Sequence, residues 1–75
     1  MQTVREYAEQ AAQETLENPG LYGVDRFDSA DEFVDFQMDG DAGDACLVHK
    51  LYDAAEMRAA LRDAYEARID GEVFR

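Results

Sequence analysis

Apolar residues recur at helical spacing at both ends of this chain and lose that period in between. Near the start, Val4, Ala8, Ala11 and Thr15 share one face, flanked by Tyr7 and Leu16, with Glu6, Glu9, Gln10, Gln13 and Glu17 opposite. Thr3 and Glu6 have the spacing of a capping box, and Pro19–Gly20 opposes helix beyond Glu17, so a helix is predicted over 3–17. Near the end, residues 53–71 (DAAEMRAALRDAYEARIDG) spell a second helix with a start, a face and a stop. Asp53 can accept from the free N–H groups of the first turn, Glu56 can reach back to it, and Tyr52 and Met57 have hydrophobic-staple spacing. Strong helix formers fill its interior, with no β-branched residue before Ile69. Gly71 suits a left-handed closing residue, and Arg68 places a cation near the negative end of the helix dipole. On a helical wheel Ala54, Met57, Leu61, Ala64 and Tyr65 make one apolar stripe. Glu56, Asp63, Glu66 and Asp70 gather on the far side.

Between Leu21 and Tyr52 two readings compete. The favoured one takes LYGVDRF (21–27), EFVDFQM (32–38) and CLVHKLY (46–52) as three strands, because Val34, Phe36 and Met38 alternate with Asp35 and Gln37. The segment around Gly40 and Gly43, with three aspartates, reads as a turn or loop. The predicted fold is then α+β, two helices packed on a small antiparallel three-stranded sheet in the order α-β-β-β-α. The alternative is an all-α three-helix bundle. There Ser29 is a helix cap with Glu32 as its box partner, and one helix runs from Asp44 through Asp70 with Leu47, Leu51, Ala54, Met57 and Leu61 in register. The strands are preferred because a continuous helix would waste the start signal at Tyr52–Asp53. Glu72 to Arg75 is apolar enough to add an edge strand or to dock on the core. No repeat or linker divides the chain, so residues 1–75 read as one domain.

Composition changes this picture in one respect. With 18 acidic and 7 basic side chains the formal charge is −11, and the isoelectric point is about 4.1. Yet 47% of residues are hydrophobic, with four tyrosines and four phenylalanines, too many for a disordered acidic tail. Seventy-five residues are near the lower limit for a self-sufficient core. Self-repulsion at this charge opposes compaction and is relieved by salt. The single cysteine excludes an internal disulfide and suits a reducing cytoplasm. Neither an export leader nor a long apolar span is seen, so a cytoplasmic protein without membrane association is expected. Six arginines against the one lysine, Lys50, fit a GC-rich or salt-adapted genome, which offers its own explanation of the acidity.

Little of the sequence carries chemistry. Cys46 and His49, the sole cysteine and histidine, would need to meet, with an oxyanion hole nearby, to form a nucleophile pair. On a strand they point to opposite faces. As zinc ligands they supply half a set. Asp35–x–Gln37–x–Asp39–Gly40 imitates the opening of a calcium loop, but its twelfth position is Cys46 where a bidentate glutamate is needed. Asp39, Asp41 and Asp44 could hold a hard cation only weakly, so no cofactor or metal is expected. There is no phosphate-binding glycine loop, and the charge opposes direct nucleic-acid binding. A non-enzymatic role follows.

What remains is acidity as a surface property, and its natural partner is a protein with a basic nucleic-acid-binding surface. Along a helix rising about 1.5 Å per residue, Glu56, Asp63, Glu66 and Asp70 form a row on the scale of phosphates, which project about every 3.4 Å along one strand. In size, charge and lack of catalytic residues, the chain resembles the small acidic nucleic-acid mimics of phages and mobile elements, among them anti-restriction and some anti-CRISPR proteins. The resemblance lies in composition and carries no motif. It implies an inhibitor that blocks a DNA-binding enzyme or an RNA-guided complex without turnover, as a monomer or homodimer. Glu56, Asp63, Glu66 and Asp70 are the first candidates for partner contact. Glu6, Glu9 and Glu17 come second, and Asp39, Asp41 and Asp44 third. Two other readings stand beside it: a small acidic adaptor or regulatory protein-binding domain, and a salt-adapted domain whose acidity serves solubility alone.

Overall fold

A computed structural model of the protein describes residues 2–17, 27 and 29–73, the side chains of residues 16 and 70–73 excepted. Four helices make up the described chain: α1 (Val4–Glu17), α2 (Ala30–Met38), α3 (Asp41–Leu47) and α4 (Ala54–Val73). The longest, α4, is the spine, packing along α1, across α2 and against α3.

Both outer helices start where their caps dictate. The Thr3 hydroxyl accepts from the Glu6 N–H at 3.1 Å, and the Glu6 carboxylate accepts from the Thr3 N–H at 3.0 Å. That closed capping box satisfies two N–H groups the first turn leaves without partners. At α4 the Asp53 carboxylate accepts from the Glu56 N–H at 3.0 Å. Met57, Leu61, Ala64 and Tyr65 are buried along α4, as are Ala8, Ala12 and Thr15 along α1. The predicted stop at Gly71 is passed, for α4 continues to Val73. Arg68 therefore lies short of the final turn and reaches across to Gln13 of α1 at 3.4 Å. Glu72 and Val73 are helical, not an edge strand.

The α+β expectation is overturned: among the described residues there is no strand, and the three-stranded sheet does not form. Residues 21–26 of the first proposed strand lie outside the described chain. The second, EFVDFQM, is helix α2, with Ser29 Oγ accepting from the Glu32 N–H at 3.2 Å as the all-α alternative had it. Its buried residues are Phe33, Val34 and Gln37, a helical spacing that the alternation of Val34, Phe36 and Met38 hid. The aspartate-rich turn is also corrected, because Asp41–Leu47 is helical and buries Ala42, Gly43, Ala45 and Cys46. CLVHKLY therefore ends α3 and turns the corner. The all-α class is right, but its continuous helix from Asp44 is broken between Leu47 and Ala54.

That corner is closed by backbone. The Asp44 carbonyl accepts from the N–H groups of Val48 and His49, both at 2.9 Å, and the Leu51 N–H returns to the Ala45 carbonyl at 2.8 Å. Lys50 carries the turn in the left-handed region, at φ 55°.

The core joins Phe33 of α2 to Tyr65 of α4, rings stacked at 4.7 Å, with Phe27 edge-on to both. The Tyr65 hydroxyl accepts from the Phe27 N–H at 3.2 Å and faces the Phe27 carbonyl at 3.3 Å as donor, so its polar tip is satisfied at the edge of the core. Among the described residues two polar side chains are buried, Thr15 (1% exposed) and Gln37 (8% exposed). They satisfy each other across α1 and α2, the Gln37 amide donating to the Thr15 hydroxyl at 3.3 Å. No helix of the described chain is long and apolar enough to cross a membrane.

Candidate functional site

Where α1 packs along α4, the two helices leave a shallow trough on their shared outer side. This groove holds about 520 Å³ and is open to solvent. Its floor is Val4, Ala59, Ala60, Ala64 and Ala67. Its rim carries Glu9 from α1 and Glu56 and Asp63 from α4, interrupted by Arg5 and Arg68. Arg5 pairs with Glu9 one turn on, at 3.4 Å. An exposed pair of this kind is worth less than about 1 kcal/mol and is readily exchanged for a partner's charge.

The structure thus brings together residues from two of the three candidate sets and disperses the others. Glu66 is exposed on α4 but does not line the groove. The side chain of Asp70 lies outside the described residues. Glu6 is exposed yet engaged in its capping box, and the Thr3 N–H, then the Thr3 hydroxyl, hold its carboxyl below the ordinary value of 4.5. Glu17 accepts from the Gln13 amide at 3.3 Å.

Asp39, Asp41 and Asp44 flank and open α3, remote from the groove's lining. Asp41 and Asp44 sit in the first turn, where the helix dipole favours negative charge. Among the described residues no three of His, Cys, Asp or Glu converge as metal ligands. Asp41 instead edges a smaller hollow of about 150 Å³ with Tyr7, Glu14 and Gln37. Burial first, and then the Asp41 charge, push the Tyr7 phenol upward.

Cys46 is buried in the core and His49 is exposed, so the two do not form a nucleophile pair. Burial, followed by the Asp53 charge, raises the Cys46 thiol and keeps it from the reactive thiolate form.

Two features escaped sequence reading. Arg58 and Arg62 of α4 bridge to Asp35 and Asp31 of α2, the first at 2.8 Å, so part of the acidity is neutralised between helices. Ala59 and Ala67 sit off the core stripe, and their small size makes the groove. Their signal was present as alanines placed between carboxylates on the outer side of the wheel. Comparison with protein-family models, with curated proteins and with solved structures finds no match.

Proposed function

We propose that this chain is a small non-catalytic protein-binding domain, and that the groove between α1 and α4 receives a cationic, partly apolar segment of a partner protein. One observation carries this reading: Glu9, Glu56 and Asp63 rim a floor made of alanine and valine side chains. Such a surface takes aliphatic groups below and lysine or arginine heads at its edges. A row of phosphates has neither an apolar floor nor interspersed cations. Arg5 and Arg68 along the groove, and Arg58 and Arg62 beside Asp35 and Asp31, therefore favour an adaptor or regulatory domain over nucleic-acid mimicry.

The test uses an amphipathic Lys/Leu peptide as probe and amide chemical shifts as readout. Shifts should concentrate on Glu9, Glu56, Ala59, Asp63 and Ala67. Single carboxylates contribute less than about 1 kcal/mol each, so reversing Glu9, Glu56 and Asp63 together to lysine should weaken binding more than tenfold. Ala59→Trp fills the groove without changing charge and should do the same. Shifts spread evenly over all exposed carboxylates, with Ala59→Trp still binding, would leave only diffuse attraction and reject the groove. If duplex DNA competes for a protein partner bound through this groove, the covered surface is a nucleic-acid site and the mimic arrangement applies.

A further inference from the structure

At the corner between α3 and α4 the surface changes character. Leu47, Val48 and Leu51 are 68%, 66% and 49% exposed, and they surround Lys50 and His49. Residues 45–52 are the longest run in the chain free of aspartate and glutamate, and they hold its sole lysine and sole histidine. Asp44 and Asp53, both exposed, close the run at either end.

We propose that this corner is the contact between two copies of the chain in a two-fold dimer. A two-fold interface must be complementary to itself, and this one contains every part it needs. The apolar residues supply a centre, Lys50 a cation, and Asp44 or Asp53 of the other copy the matching carboxylate. Charge selects the place. Two chains of net charge −11 repel over most of their surface, and the acid-free run is where they approach without opposing carboxylates.

The patch is also held in shape before contact, since the Asp44 and Ala45 carbonyls pin the turn through Val48, His49 and Leu51. Little ordering entropy is then lost on association. Three apolar side chains fall short of the roughly 800 Å² per partner of a standard interface, so the dimer is weak and forms at high concentration.

Its salt dependence is opposite to that of the groove. Screening relieves the repulsion between copies, so dimerisation strengthens from low to moderate salt, while a cationic ligand binds the groove less well.

Sedimentation equilibrium from micromolar to millimolar chain, at both salt levels, tests this. The mass should move from one chain to two, at lower concentration in the higher salt. Val48→Asp and Leu47→Gln, both at exposed positions, should shift association by about tenfold or more with the circular dichroism unchanged. Ala59→Trp should leave the dimer intact, which separates this result from the fate of the groove. A one-chain mass at millimolar concentration overturns the proposal, as does a dimer indifferent to Val48→Asp. A chain that stays single but loses a protein partner on Val48→Asp also overturns it, and gives the corner to a different protein.

Discussion

Helices α4 and α3 meet at one corner but are stabilised from opposite directions. α4 has twenty residues, a side-chain cap at Asp53 and an interior of strong helix formers. α3 has seven residues, starts at Gly40 with no side-chain cap, and carries a second glycine inside. A helix this short does not persist alone, because nucleation costs more than a few hydrogen bonds return. What holds α3 is burial of Ala42, Gly43, Ala45 and Cys46 against its neighbours. Local sequence writes α4, and tertiary packing imposes α3.

The sharpest way to break that contrast is at Gly43. A β-carbon there would overlap the Met38 carbonyl, since α3 packs directly onto the end of α2. The obstacle is backbone, so the helices must separate. Gly43→Ala should cost about 3 kcal/mol even though alanine is the better helix former. Denaturant unfolding measures this, and a stabilised Gly43→Ala would show that α3 rests on propensity after all.

A smaller effect is expected at Asp53. Removing its carboxylate leaves the Glu56 N–H without its partner, and Asp53→Ala should lose about 1 kcal/mol. The loss should show as a lower thermal midpoint and as fraying limited to the first turn of α4 in amide exchange. An equal loss of protection in α3 would mean that the two helices are not independently held.

The smallest effect concerns the cap of α1. Thr3 depresses the folded-state pKa of Glu6, so its contribution is present above the ordinary carboxyl value of 4.5 and is lost as pH falls through the lowered one. Glu6→Gln should therefore differ from the parent at neutral pH and converge with it under acid conditions. A difference that persists at low pH would place the effect outside the carboxylate.

The same contrast explains what could be read in the sequence. α1, α4, their N-terminal caps and their buried positions apart from Ala12 were legible because each signal lies within a few residues of its neighbour, whereas the stop predicted at Gly71 was not. α2 was hidden by Gln37, a polar side chain buried only because Thr15 on a distant segment satisfies it. α3 was hidden because its buried residues are small: Ala42, Gly43, Ala45 and Cys46 give no strong apolar period. Their glycine and aspartate neighbours imitate a turn. The carboxylates of the candidate site were visible, but their grouping was not. That Glu9 joins Glu56 and Asp63 while Asp41 and Asp44 lie elsewhere depends on how α1 is laid along α4.

Glu9 and Glu56 belong to the first and last helices, so the groove is a discontinuous epitope. No linear peptide of the chain reproduces it without spanning nearly the whole domain, and a scan of overlapping fragments would pass over it. Bringing its walls together closes a loop of 47 residues (56 − 9), a cost of order (3/2)RT ln n, about 3.4 kcal/mol, before any contact is made. The corner at Leu47–Leu51 is the reverse case, a linear epitope contained in one short run and available wherever the end of α3 is formed. A change that releases α1 from α4 therefore erases one surface and spares the other. Binding at the groove reports the pairing of α1 with α4, whereas binding at the corner reports the packing that holds α3.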